Sequence, residues 1–224
     1  MYLNLVPLPI SLTLIVFYMI ARNRNDLKKT AFLQPSATLV AILIALLSFF
    51  SPYSNHEYTL WILVGMGLCF LADMFNIDMT NDKILYAAIG VFILAYLEYA
   101  ITYTRFSGFR WQDWIVGVFF LGIYVFLMSI YWKGLGNFKI PILIYGLFMP
   151  FMVTRAISTL FGDTFSLLSA LMVMAGSTML FLGDVEYGIH RFRRPLKFFF
   201  GPICYEGGQL LIALSCSYFA LKAF

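Results

Sequence analysis

Two aspartates close matching stretches of this chain, Gly65-Met-Gly-Leu-Cys-Phe-Leu-Ala-Asp73 and Gly176-Ser-Thr-Met-Leu-Phe-Leu-Gly-Asp184. Each has a glycine eight residues before the acid and ends Phe-Leu-small-Asp. Both stretches are otherwise apolar, and a carboxylate in hydrocarbon costs about 2.5–3.5 kcal/mol on insertion scales, so a repeated one asks for a reason. Two carboxyls facing one dry cavity do not both ionise cheaply, which leaves one protonated and one charged. Acid–base hydrolysis needs that division: one group gives a proton while the other stabilises positive charge or activates water. Asp73 and Asp184 are therefore the expected catalytic pair.

Other groups stand behind them. Tyr205 and Gln209 are four residues apart and share a helix face, with Gly207 and Gly208 between them to let that helix press on a neighbour, the seventh by expectation. Glu206 falls one position off that face, and pairing with a basic loop is its default. Glu98 lies deep in the fourth helix, with Arg155 a candidate ion partner if helices four and six touch. Glu186 is a further acid in the seventh helix. His56 and His190 are the only histidines. No acid–His or Cys/His spacing suits zinc, and no nucleophile elbow or phosphate loop is present, so neither metal nor cofactor is expected. Cys69, Cys204 and Cys216 sit at unrelated spacings inside helices and read as packing residues.

The elements that carry these groups are membrane helices. Of 224 residues, 62% are apolar and 12% charged, a balance outside the range of ordinary soluble domains. The apolar runs are long and do not alternate, which excludes barrel strands and leaves helices. At about twenty residues per crossing, eight are expected near 3–21, 31–51, 58–77, 83–104, 112–132, 139–161, 164–188 and 198–221, in a single all-α domain, residues 1–224. The first run lacks a basic leader and reads as a retained helix rather than a signal peptide.

Loops one, three, five and seven hold eleven Lys and Arg, while the other side has Arg105, Arg110 and Lys222. That bias places both termini on the non-cytoplasmic side and the basic loops beside anionic headgroups, so membrane lipid, not nucleic acid, is the expected partner. The aspartates are 111 residues apart (184 − 73), about half the chain. Four crossings separate their helices, which makes them parallel and suggests two four-helix halves. Both acids are then expected within one turn of the cytoplasmic helix ends, at equal depth.

Four stretches together resemble the YhhN or lysoplasmalogenase family of eight-helix membrane proteins. Gly65 to Asp73 resembles its Gly-Leu-apolar-Gly-Asp segment, and Phe92-Ile-Leu-Ala-Tyr96-Leu-Glu-Tyr99 its Phe-x-x-x-His-x-x-Tyr pattern. Gly176 to Phe192, with Asp184 and Arg191, is similar to its Asp…Arg-Phe stretch. Tyr205-x-x-x-Gln209-Leu-Leu-Ile212 is similar to its last-helix Tyr-x-x-x-Gln-x-Leu-Ile. The chain departs from the pattern at Gln34 (a lysine in the family), Tyr96 (a histidine), Ala72, Gly183 and Leu180. The resemblance implies hydrolysis of the vinyl-ether bond of lysoplasmalogens, a lysophospholipid substrate, with either Asp73 or Asp184 as proton donor and the other as stabiliser or base. Tyr96, Tyr99, Tyr145, Tyr205 and Gln209 would orient headgroup or water. A proton-coupled carrier and a lipid-binding protein with a decayed site are the competing readings.

Overall fold

The computed structural model describes residues 3–75 and 81–220. Eight helices follow in order: α1 (Leu8–Asn23), α2 (Leu27–Leu47), α3 (His56–Phe75), α4 (Asp82–Ser107), α5 (Gln112–Tyr131), α6 (Lys139–Ser158), α7 (Leu167–Phe192) and α8 (Gly201–Ser215). Among the described residues, seven are long and apolar enough to cross a membrane. The eighth expected crossing is shorter: α8 has 15 residues, extended by a 3-10 turn over Cys216–Tyr218. It lies inside the bundle against α7, α2 and α1, where it is not required to meet lipid along its whole length. The chain is thus a polytopic helical bundle. Large apolar side chains stand exposed around it, most densely on α5 (Trp114, Ile115, Val118, Phe119, Phe126), a surface that belongs in lipid.

Helix ends follow local chemistry. Asn25 adopts φ 54° between α1 and α2, and Asp26 accepts a bond from the Lys29 N–H as N-cap. That bond and the Lys29 ammonium hold the Asp26 carboxyl below its usual range. Asn81 and Ser166 cap α4 and α7 in the same way. At the α8 N-terminus the cap comes from another helix. Both oxygens of Glu186 on α7 accept the backbone N–H groups of Phe200 and Gly201, which gives that acid a structural role.

Alternate loops gather at opposite ends. At one end Asn23 bonds the Phe199 backbone, Arg191 pairs with Asp82 at 3.6 Å, and Tyr86 bonds the Asn137 carbonyl. These contacts tie together loops one, three, five and seven, the basic set. At the other end the Ala220 N–H bonds the Tyr53 carbonyl, Ser166 bonds the Tyr218 carbonyl, and Arg105 pairs with Glu57. Lys222 lies outside the described residues.

Packing of the two halves corresponds. α3 on α4 matches α7 on α8, α2 on α3 matches α6 on α7, and α4 packs on α6 as α8 packs on α2. The echoed glycines serve the same end in each half. A Cβ on Gly65 would meet the Tyr99 ring of α4 at 2.6 Å, and one on Gly176 would meet the Gly208 carbonyl of α8 at 2.8 Å. A Cβ on Gly208 would in turn fall 2.6 Å from the Gly176 carbonyl, so α7 and α8 touch backbone to backbone there, while Gly207 faces only the end of Met179. Gly208→Ala should force these helices apart and destabilise the bundle by about 1–3 kcal/mol. Gly207→Ala, opposed only by a flexible side chain, should cost less. Thermal unfolding of both in detergent checks the difference.

Candidate active site

An apolar cavity runs between α1, α2, α4, α5, α6, α7 and α8. Its wall extends from Met149 and Pro150 in the middle of α6 to Arg22, Phe192 and Phe199 at the basic end. Leu85, Ile89, Phe92, Leu127 and Ile142 are among its apolar lining, and the polar groups that interrupt it include Asp184, Glu186, Tyr145, Tyr205, Gln34 and Arg22. An apolar slot with a handful of convergent polar groups is the usual form of a small-ligand site.

Asp184 stands in this wall. Its Oδ2 accepts the hydroxyls of Tyr145, at 2.5 Å, and Tyr96. The two rings lie 5.6 Å apart, centroid to centroid. Three helices thus converge on one carboxylate oxygen, and Oδ1 takes no hydrogen bond from the described residues. Next to Asp184, Gly183 lets α7 lie close against α8, because a Cβ there would sit 3.3 Å from the Gly201 carbonyl oxygen and the Tyr205 nitrogen. The expected depth needs correction: α7 continues eight residues past Asp184, to Phe192, more than two turns. The polar run after 184 does not end it, since Tyr131 bonds the Val185 carbonyl and the N–H groups of Arg193 and Arg194 close on Ile189.

Asp73 lies in the last described turn of α3 and is 1% exposed. It is one layer behind the cavity wall and within electrostatic reach of Asp184. Gln34 Nε2 donates to its Oδ1 at 2.8 Å and Thr38 Oγ1 to its Oδ2 at 2.6 Å. Tyr18 in turn donates to Gln34 Oε1 at 2.9 Å, so the amide joins a wall phenol to the buried acid. Tyr205, also in the wall, sits beside Asp73, its buried hydroxyl within reach of that carboxyl but outside good hydrogen-bond geometry. The two aspartates therefore do not line one surface together. Asp184 faces the cavity, and Asp73 meets it through Tyr205 and Gln34.

Glu206 shares the Thr38 hydroxyl with Asp73. The expected pairing of Glu206 with a basic loop is incorrect: the side chain is 1% exposed and lies 3.3 Å from Thr38 Oγ1. Gln209 turns away from the cavity, its Oε1 accepting the Tyr99 hydroxyl at 2.9 Å. Tyr96, Tyr145 and Tyr205 thus join the aspartates, while Tyr99 and Gln209 form a support behind them. Sequence reasoning missed Thr38 and Tyr18, and noted Gln34 only as a departure. The available signal was Gln34 and Thr38 at i, i+4 on a helix that is otherwise largely apolar.

The suggested Glu98–Arg155 pair does not form either, although α4 and α6 are in contact. Glu98 accepts the Thr102 hydroxyl. Arg155, fully buried at the opposite end of the bundle, donates to Asp113 at 2.5 Å, Ser107 at 3.1 Å, Thr104 at 2.8 Å and the Gly108 carbonyl, under the Phe109 ring.

Neither a curated protein nor a solved structure matches the chain. The YhhN family matches residues 30–216, a span that takes in both aspartates, the tyrosines around them and the Gln34–Thr38 pair. With most of its length covered by that match, the chain belongs to the YhhN family.

Proposed function

We propose that the protein is a membrane-embedded hydrolase that cleaves the vinyl-ether bond of lysoplasmalogens, releasing a fatty aldehyde and a glycerophospho-alcohol. The observation that carries this reading is Asp184 in the wall of an apolar cavity, two phenols on one of its oxygens and none on the other. The YhhN membership is consistent with it. An amphiphile with one chain suits the slot: aliphatic and aromatic side chains line its length, and the Arg22 guanidinium at the basic end is placed for a phosphate.

The chemistry needs a proton at carbon and a charge nearby. Asp184 in its acid form gives the Oδ1 proton to the β-carbon of the vinyl ether. The alkene electron pair forms that C–H bond, and positive charge develops on the neighbouring carbon and its ether oxygen. The Asp184 and Asp73 carboxylates stabilise that oxocarbenium in a site of low dielectric. Water adds to the cationic carbon and loses its proton towards Asp73 by way of the Tyr205 hydroxyl. The hemiacetal then transfers its hydroxyl proton to the ether oxygen and parts into aldehyde and alcohol. Passing the proton from Asp73 back to Asp184 restores the starting state.

The test is direct. Purified protein in detergent is given lysoplasmalogen and, separately, the acyl-linked lysophospholipid. Aldehyde is expected from the first alone. Folded protein that releases none would overturn the reading. Substrate-dependent flux in liposomes would then favour a carrier, the second reading, which the matched packing of the two halves supports.

A further inference from the structure

A third acid is built into the site, and the family resemblance and the expected catalytic pair leave it without a role. Glu206 follows Tyr205 on α8 and is buried against α2. Its Oε2 lies 3.3 Å from Thr38 Oγ1, and its Oε1, also buried, has no hydrogen-bond partner. On the other side of the same hydroxyl, 2.6 Å away, is Asp73 Oδ2. One hydroxyl thus bridges two carboxyls drawn from α3 and α8.

A threonine hydroxyl has one proton to give. The short contact assigns it to Asp73, whose other oxygen is already an acceptor from Gln34. Asp73 is then acceptor-only at both oxygens, the pattern of a carboxylate. The Glu206 contact is favourable only if its Oε2 carries a proton and donates it to the lone pair of Thr38. No cation among the hydrogen-bond partners of either acid offers another balance, because Gln34 and Thr38 are both neutral. Two buried like charges across one hydroxyl, one of them with an unpartnered oxygen, would carry a desolvation penalty of several kcal/mol each.

The other groups around Glu206 leave this count unchanged. From α1 it faces Tyr18, with Arg22 one turn along, and from α3 it faces Asp73. On α7, Asp184 is engaged by Tyr96 and Tyr145, and Glu186 by the α8 N-terminus. Its own helix adds Tyr205.

We propose that Glu206 and Asp73 form a proton-sharing dyad through Thr38, with Glu206 the resident proton holder and Asp73 the carboxylate it keeps ready. This rests on the hydrolase reading for its purpose, since Asp73 must be charged to accept the proton that water releases. It does not rest on that reading for its existence. Glu206 is a positioning residue for the charge on Asp73 and does not touch substrate.

Infrared spectroscopy of the full-length protein in detergent separates the two questions. The Asp184→Asn protein at neutral pH is expected to show the carbonyl stretch of a protonated, buried carboxyl. Adding Glu206→Gln should remove that band, and Thr38→Val, which keeps both acids, should shift it. Spectra that superimpose with and without Glu206→Gln would overturn the dyad, as would a band unmoved by Thr38→Val, which decides the matter should the Gln variant fail to fold. If the band behaves as expected while the unaltered protein forms no aldehyde, the hydrolase reading fails and the dyad stands. If the unaltered protein forms aldehyde while the Asp184→Asn protein lacks the band, the reverse holds.

Discussion

Asp184→Asn should lower aldehyde release from lysoplasmalogen by about 100-fold or more, the usual worth of a positioned general acid. The variant keeps the shape of the side chain and an acceptor oxygen for Tyr96 and Tyr145, so the bundle should unfold at a temperature close to that of the unaltered protein. It removes the acidic proton and the carboxylate charge together, and both matter at the same step. The decisive comparison is between turnover at saturating substrate and the substrate concentration at half-maximal rate. Loss confined to turnover places Asp184 in the transition state, whereas an equal rise in the half-saturation concentration alone would make it a binding group.

The second large effect lies at the far end of the molecule and concerns stability. Asp113→Ala leaves the Arg155 guanidinium fully buried with its charged partner gone. Breaking one side of a buried pair costs about 3–5 kcal/mol, because the remaining charge is uncompensated. The hydroxyl of Ser158 and the backbone N–H of Arg110 lose their acceptor in the same change. Thermal unfolding in detergent should show a clear fall in midpoint. The double variant Asp113→Ala, Arg155→Met should recover part of it, since the desolvated charge is then absent. Equal stability of the single variant and the unaltered protein would mean that the guanidinium finds water or lipid headgroups on its own.

The contrast between these two clusters shows what the sequence carries. The apolar runs, their number and the alternation of basic loops could be read directly, because hydrocarbon demands a helix of fixed length for each crossing. The repeated Gly-to-Asp stretch pointed to Asp73 and Asp184, and both lie at or just behind the cavity. Partners were harder. A residue's place on its own helix follows from 3.6-residue periodicity, but the partner it meets depends on the rotation and depth of the neighbouring helix. Glu206 shows the difficulty: one position from Tyr205, it turns towards Thr38 instead of solvent because α8 is buried on several sides. Arg155 met Asp113 and not Glu98 for the same reason, although α6 packs against α4. The shortness of α8 was masked by the apolar residues that continue past Ser215.

Charge placement separates the two sites further. At Asp113 and Arg155 every strong donor and acceptor is matched, which is what a structural ion pair requires. On α8 the Tyr205 hydroxyl, the Glu206 Oε1 and the Gln209 Nε2 are all buried without a well-formed hydrogen bond. Unsatisfied polar atoms are costly in a dry interior. Of the three residues only Tyr205 lines the cavity, so these unmatched groups lie at and behind its wall.

The central claim is that a carboxyl proton is delivered to carbon, and isotope placement tests it most directly. Hydrolysis run in heavy water should give aldehyde with one deuterium on the carbon next to the carbonyl, and hydrolysis in oxygen-18 water should place the label in the aldehyde oxygen. Aldehyde released without deuterium at that carbon would contradict protonation by Asp184, whatever the rate.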